Sequence, residues 1–395
     1  MHRLILTVLV TFSLLGLCAA ANGQDKAPDA LAFDSGLRKL KQRDDPEAKR
    51  WPLSKRMQSY GTPGVAVAVL KANGEVDARG YGVLQAGNAD PVTKDTVFSV
   101  GSVSKIVNAA LVLRLVQEGT LDLDADINGY LKRWQVPANE FAKAGPVTLR
   151  HLLSHTSGFS QHGFGDFKPG AKLPSALDTL NGTGPATHPP VTLLFEPGTQ
   201  MKYSGGGITV AQVIVEDVTD MDYEAAARKY VFDPLGMSRS TFVNPLPEQH
   251  GNIARAHNKR GRPRAKPRGY EAMPEMAASG LWASAQDLGV FLRALLSDEA
   301  FLEPAVRADM FRREANSWHG LGPRVNGDDA GHVIHHGGAN DSYRAWLEGH
   351  PATGEGLVIL TNGADGREMG YEIRIELGAA LGWPIRFPND FGEPQ

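Results

Sequence analysis

Apolar residues change their spacing several times along the chain, and each change marks a predicted element. Val65 to Leu70 is an unbroken apolar run between Pro63-Gly64 and the turn Asn73-Gly74, which suits a buried strand. Glu75 to Tyr81 then reads as its hairpin partner. Further on the period lengthens: Ala109, Leu111, Val112, Leu115 and Val116 recur at helical spacing until Gly119, predicting a helix with a glycine stop. Thr148 to Ser157 carries a shorter helical pattern ended by Gly158, and Ile208 to Val218 is an apolar helix preceded by Gly205-Gly206-Gly207. Ala277 to Leu296 predicts a turn and a helix, with Ser284 as cap and Asp287 at the third helical position. The last section returns to short runs, Val333 to His335, Tyr343 to Leu347 and Leu357 to Thr361, separated by Gly, Asn and Asp as strands are. A final helix is expected from about Arg367 to Leu381, ending before Gly382.

Strands therefore lie near both ends with helices between them, and no internal repeat is visible. The fold class this implies is α/β in the α+β sense: a mixed antiparallel sheet built from both chain ends, with flanking helices and an inserted, mainly helical lobe. The expected organisation is a leader over 1–21, a linker and N-terminal amphipathic helix over 22–60, and one main domain over 61–395. Within it the α/β lobe takes about 61–118 and 320–395, and the helical lobe about 119–319. Gly163 to Pro190, rich in Gly, Pro, Thr and Ser, reads as a long irregular segment of the kind that forms functional loops. Asp122, Asp124 and Asp126 alternate with Leu121, Leu123 and Ile127. No glycine or terminal glutamate completes a calcium loop there, so they read as turn and cap residues. The basic run Lys259 to Arg268 is broken by Gly261, Pro263 and Pro267, which makes it a solvated loop.

With 395 residues the chain is long enough for one large core or two lobes, and its 42% hydrophobic and 22% charged residues exclude disordered and collagen-like classes. A formal charge of -3 gives no reason to expect a nucleic-acid partner. His2 and Arg3 precede the apolar run Leu4 to Leu17, which ends near Ala19-Ala20-Ala21. A charged start, an apolar middle and small residues at the end make a secretory signal peptide, too short for a membrane span. The expected product is secreted and periplasmic, with no stable membrane span after cleavage. Cys18, the single cysteine, falls in the leader, and Leu17 before it does not suit lipid attachment. The mature chain is then expected to have neither thiol chemistry nor a disulfide.

One stretch stands out chemically: Phe98-Ser99-Val100-Gly101-Ser102-Val103-Ser104-Lys105. Ser102 and Lys105 are three apart at a helix start, so hydroxyl and amine share a face. That is the arrangement of a serine nucleophile beside an amine that relays its proton, and the N–H groups of a helix start favour negative charge nearby. The same residues also describe a Ser cap followed by a surface lysine. No serine carries both glycines of a Gly-x-Ser-x-Gly elbow, so Ser102 needs other partners. Tyr203 lies on the Gly-rich stretch Met201 to Gly207, where a phenol can enter a cleft and be turned towards a base by neighbouring cations; its other reading is a packed aromatic. His335-His336-Gly337-Gly338 occupies a strand whose glycines would let a substrate approach the backbone. His151 and His155 lack the glutamate of a zinc-protease helix, and His332, His335 and His336 offer at most an adventitious metal site.

Taken in order, these residues resemble the motifs of the serine β-lactamase and penicillin-binding-protein superfamily, in the class C-like branch of DD-peptidases, D-aminopeptidases and class VIII carboxylesterases (peptidase S12). The first motif falls on Ser102 and Lys105, and Leu149 to Phe159 matches a signature of this branch. Phe195 to Thr199 leads to a second motif at Tyr203, and Gly280 to Ser284 with Asp287-Leu288 matches a further segment. His336-Gly337-Gly338 falls where the superfamily has Lys-Thr-Gly or His-x-Gly, with His335 as the alternative first residue. The resemblance implies a β-lactamase/transpeptidase-like fold and a catalytic set of Ser102, Lys105, Tyr203 and His336. Ser102 would attack a carbonyl carbon, Lys105 and Tyr203 would share the proton transfers, and water would hydrolyse the acyl-enzyme. It also implies an oxyanion hole from the N–H groups of Ser102 and Ala339, and a substrate site at Gly205, Gly337 and Gly338. His336 would bind a substrate carboxylate or assist Tyr203, and no metal or cofactor is required.

Two departures narrow this. Gly205 stands where β-lactamases have the asparagine that contacts the acylamido side chain, and His336-Gly337-Gly338 removes a fixed lysine from the carboxylate site. Both argue against an efficient β-lactamase and leave the nucleophile untouched. The expectation is a secreted serine hydrolase of small-molecule esters, amides or peptides. The alternatives are a β-lactamase or D-Ala-directed carboxypeptidase, and a non-catalytic penicillin-binding-type sensor.

Overall fold

The computed structural model describes residues 36–165, 167, 170–264, 275–327 and 332–383. The expected leader over 1–21 and most of the linker lie outside the described residues, as do 265–268 of the basic run. β1 (Gly64–Leu70) and β2 (Val76–Gly82) form the predicted hairpin, with Leu70 opposite Val76. β1 pairs on its other side with β8 (Glu355–Thr361), so the two ends of the chain meet at the centre of the sheet. β7 (Tyr343–His350), β6 (Val333–Asn340) and the short β5 (Arg324–Asn326) complete the order β2-β1-β8-β7-β6-β5. Every pairing in it is antiparallel.

Both faces of this sheet are covered, which is why β1 reads as a continuous apolar run. On one face Val65, Val67 and Val69 pack with Trp346 and Ile359 under Met369, Ile373 and Leu377 of the C-terminal helix Gly366–Ala380. On the other, Ala66, Ala68 and Leu70 join the main core beside the helix Ala285–Ser297. A Cβ on Gly289 of that helix would lie 2.5 Å from Val76 Cγ1 and 3.1 Å from Ala68 Cβ, so the glycine lets helix and sheet touch. Fully burying an aliphatic side chain contributes roughly 1.5–3 kcal/mol, against roughly 0–1 for an exposed ion pair, so these two layers hold the lobe together. Two buried carboxylates add direction. Glu372 accepts from Arg56 Nε and Nη2 and from the Tyr60 hydroxyl, each at 2.7 Å, tying the helix Leu53–Ser59 to the C-terminal helix. Glu348 of β7 accepts from Arg374 Nη2 at 2.7 Å and from Trp346 Nε1 at 2.9 Å.

The helical lobe differs from expectation in its short elements. The segment Thr148 to Ser157 is helical only over Leu149–Leu153, capped by Thr148, and then turns at His155 with φ 62°. Ala277 to Leu296 contains a strand not read from the sequence, β4 (Trp282–Ser284), before its helix. β4 pairs with β3 (Val97–Ser99) as a separate two-stranded sheet. The expected cap is present, with Ser284 Oγ accepting the Asp287 N–H at 3.1 Å. Asp122 and Asp126 accept nearby backbone N–H groups and Asp124 pairs with Arg150, as turn and cap residues should. No helix among the described residues is long and apolar enough to cross a membrane.

Candidate active site

β3 delivers the chain to Val100 and Gly101, and Ser102 then lies in a 3-10 turn, Gly101–Val103, that runs into the helix Ser104–Gln117. Gly101 has φ 53°, and a Cβ there would lie 2.6 Å from the Ala339 amide nitrogen. Only glycine both adopts that conformation easily and lets β6 approach the nucleophile turn so closely. Ser104 locks the turn: its hydroxyl donates to the Gly101 carbonyl at 2.6 Å and accepts the Leu281 N–H at 3.0 Å.

Lys105 is only 2% exposed. Its Nζ donates to Ser102 Oγ at 3.3 Å and to the Ala278 carbonyl at 2.5 Å, and it lies 4.8 Å from the centre of the Tyr203 ring. No carboxylate among the described residues pairs with it, so the amine is aimed at Ser102 by a carbonyl rather than held by a counter-ion. The bland reading of a surface lysine is thereby removed.

Tyr203 is positioned by the signature segment. The His155 carbonyl accepts the Lys202 N–H at 2.9 Å, and His155 Nδ1 accepts the Ser204 N–H at 3.2 Å. The imidazole also lies 4.3 Å from the Tyr203 ring, centre to centre. His155 thus grips the residues on both sides of the tyrosine, a role that explains why the helix before it stops short. Ser204 caps the helix Gly205–Thr219 through the Gly207 N–H at 2.9 Å. The Tyr203 hydroxyl has no partner among the described residues and borders the same cleft as Ser102.

Alternation along β6 separates the two adjacent histidines. His336 faces Tyr203, with ring centres 6.1 Å apart, whereas His335 stacks on Trp346 at 5.1 Å and contacts Asn326 Oδ1 at 2.6 Å. His336 therefore takes the third-motif position, and the pair does not converge on one metal ion. Burial, followed by the neighbouring His319 and Lys105, holds the His336 pKa well below the ordinary histidine value. Its Nδ1 donates to the Gly337 carbonyl at 2.7 Å and its Nε2 has no partner. A neutral ring with a free acceptor suits assistance to Tyr203, and it lacks the charge expected for binding a carboxylate.

The glycines divide differently from expectation. A Cβ on Gly338 would lie 1.9 Å from the Val100 carbonyl oxygen, so this glycine lets the protein's own backbone, not a substrate, come close. Gly337 is open, and a Cβ there would make ordinary contact with the Trp346 ring at 3.6 Å. Gly205 does not line the cleft. It is buried under the loop before it, where an added Cβ would lie 3.0 Å from both the His162 carbonyl and the Phe164 ring. Gly205 thus serves packing rather than lining the cleft, and an added side chain would press on both neighbours.

Other residues enter the site without a motif. His162 and Trp318 line the cleft, His162 5.0 Å from the Tyr203 ring. His319 is fully buried 5.7 Å from His336, its pKa pushed down to about 3, mainly by burial. Asn340 Nδ2 donates to Ser99 Oγ at 2.9 Å and to the Ser279 carbonyl at 2.8 Å, clasping β6 to β3 and to the turn that supplies the Lys105 acceptor. Of these only Asn340, two residues after Gly338, lay near a recognisable pattern.

Comparison with known proteins places this geometry. Residues 53–380 match the family described as Beta-lactamase. Penicillin-binding protein 4 of Amycolatopsis lactamdurans is 29% identical over 361 residues, covering 85% of this chain and 90% of that protein. Esterase EstB of Burkholderia gladioli is 31% identical over 288 residues, covering 63% of this chain and 69% of that protein. The octameric penicillin-binding protein homologue from Pyrococcus abyssi shares the fold, with a TM-score of 0.70 at 24% identity over 86% of this chain and 77% of that one. A sheet closed by both chain ends, a buried lysine on the serine and a match over most of the sequence agree: the chain belongs to the β-lactamase family and is a serine hydrolase of the β-lactamase and penicillin-binding-protein type.

Proposed function

We propose that this chain is a secreted, periplasmic hydrolase that forms an acyl-enzyme on Ser102 and cleaves esters or small amides and peptides, with esters preferred to β-lactams. The observation that carries the reading is the buried Lys105 amine, 3.3 Å from Ser102 Oγ and without a carboxylate partner. Ser102 Oγ bonds to the acyl carbon while its proton passes to the Lys105–Tyr203 pair. The pair returns that proton to the departing alkoxide or amine, and water then repeats the sequence to release the acid. The N–H groups of Ser102 and Ala339 are the donors proposed for the developing oxyanion, and the packing of Gly101 on Ala339 supports this. Against β-lactams stand the filled space at Gly205 and the neutral His336. The similarity to a protein named as an esterase favours the same side.

A fluorophosphonate probe and p-nitrophenyl acetate, read by intact mass and absorbance, test the proposal. A single adduct and ester turnover are expected, both lost in Ser102→Ala. No adduct on the folded wild type, or an undiminished one in the variant, overturns it. Nitrocefin turnover comparable to ester turnover would favour the β-lactamase alternative. N-terminal sequencing of protein exported by a bacterial host tests the leader, with a start just after residue 21 expected.

A further inference from the structure

The loop after the His155 turn is fastened to the start of the helix Gly205–Thr219 by three carbonyls in a row. Ser160 accepts from the Ser204 hydroxyl at 2.8 Å, Gln161 from the Gly206 N–H at 3.0 Å and His162 from the Gly205 N–H at 3.1 Å, which satisfies donors that a helix start leaves open. Glycines permit the contact: a Cβ on Gly206 would lie 2.7 Å from the Ser160 carbonyl oxygen, and one on Gly205 3.0 Å from that of His162. The run of glycines thus mounts this loop on the helix that follows Tyr203, and the loop presents His162 to the cleft. The His162 ring centre lies 5.0 Å from that of Tyr203, which is in turn 4.8 Å from the Lys105 amine.

His162 differs from the other imidazoles of the site in facing water. His155, His319, His335 and His336 are all buried, and so is Lys105, whose amine is engaged by the Ala278 carbonyl. The His162 side chain is exposed, and neither of its ring nitrogens has a partner among the described residues. The charged and titratable groups facing it are Lys105, Lys202 and Tyr203. Desolvation against the cleft wall, followed by the charges of the two lysines, lowers its pKa from the ordinary histidine value. At neutral pH the ring is therefore an uncharged base, open to the water that an acyl-enzyme must admit.

We propose that His162 is a further catalytic residue, the general base that activates the water which hydrolyses the acyl-enzyme. This deepens the Ser102 reading and rests on it. The water oxygen bonds to the acyl carbon while one of its protons passes to the imidazole. The imidazolium returns that proton to the Lys105–Tyr203 pair, and the pair protonates Ser102 Oγ as the carbon–Oγ bond breaks. Acylation needs only the pair, so the two half-reactions respond differently to loss of the ring. Both are followed with p-nitrophenyl acetate in wild type, His162→Gln and His162→Ala. Acylation is read as stopped-flow release of p-nitrophenol, and deacylation as decay of the acetyl adduct by intact mass in a single turnover. A thermal melt of each preparation accompanies them, and the exposed position of the side chain should leave the melt unchanged. The expected result is acylation within about threefold of wild type and deacylation slower by at least about a hundredfold, with acetylated protein accumulating in both variants. A smaller effect on deacylation overturns the proposal. An equal fall in both steps overturns it too, since His162 would then act by positioning Tyr203. Turnover and adduct absent from wild type and variants alike would show that the Ser102 reading itself fails, and the proposal falls with it.

Discussion

Replacing Lys105 by methionine separates what the buried amine does for catalysis from what it does for the fold. Methionine is similar in length and flexible enough to fill the space, so the packing change itself costs less than about 1.5 kcal/mol. Two hydrogen bonds are lost, to Ser102 Oγ and to the Ala278 carbonyl, at a net value of about 1 kcal/mol each. Against this, a polar group leaves the interior and an apolar one takes its place, which recovers about as much. The stability change is therefore small, and for a chain of this size about 1 kcal/mol moves the melting temperature by only about 1–2 °C. Catalysis has no such compensation. The amine lies within hydrogen-bond reach of Ser102 Oγ and in its neutral form can take the serine proton, and a positioned general base contributes about 10²- to 10⁴-fold.

The assay is stopped-flow acylation with p-nitrophenyl acetate beside a thermal melt of the same preparation. The expected result is an acylation rate down by at least about a hundredfold with a melting temperature within a few degrees of wild type. An acylation rate within threefold of wild type, in protein that melts normally, would refute the assignment of Lys105 as the proton relay. A melting temperature lower by ten degrees or more would instead show that the amine holds the nucleophile turn together, contrary to the balance just drawn.

Three further outcomes follow from the same geometry. His155→Ala removes the acceptor of the Ser204 N–H and the ring packed on Tyr203; burst kinetics should show acylation slowed by about tenfold or more, the rate equivalent of an orphaned buried donor at about 1–3 kcal/mol, with KM changed less than kcat. Gly205→Asn restores the residue type of a β-lactamase but drives its Cβ against His162 and Phe164, so melting should fall and nitrocefin turnover should not appear; a stable variant that turns over nitrocefin contradicts the packing role. His155, His319, His335 and His336 all have pKa values lowered chiefly by burial, His319 and His335 to about 3. Below about pH 6.5 the unfolded chain binds protons that the folded chain does not, so stability is full above that pH and falls as pH drops, by up to about 1.4 kcal/mol per unit for each ring. Denaturant titrations at pH 7.5 and 5.0 should show this loss, and His319→Gln should reduce it; an equal loss in the variant sinks the assignment.

Legibility from sequence followed the length and regularity of each element. β1, its hairpin and the helix Ser104–Gln117 were readable because each repeats one period over several residues. β3, β4 and β5 are three residues each, too short to show alternation, and they exist because partners distant in sequence meet them. The Leu149 to Phe159 signature was readable as a pattern but not as a device. Its purpose depends on His155 entering the left-handed region and reaching both sides of Tyr203, contacts formed across nearly fifty residues.

The same contrast divides the catalytic centre from its surroundings. Ser102 and Lys105 are local in sequence and share one turn of chain, so their chemistry is visible at a distance of three positions. Trp346 of β7 and Tyr371 of the C-terminal helix also line the cleft, yet no spacing in the sequence links them to Ser102. They border the cleft because Gly337 carries no side chain above the Trp346 ring. Chemistry in this chain is thus written in short motifs, while the shape of the cleft is written in which side chains are missing once the sheet has closed. Substitutions at Gly337 should accordingly alter which substrates are taken more than how fast the serine reacts: a side chain there would cover Trp346 without touching Lys105 or Tyr203.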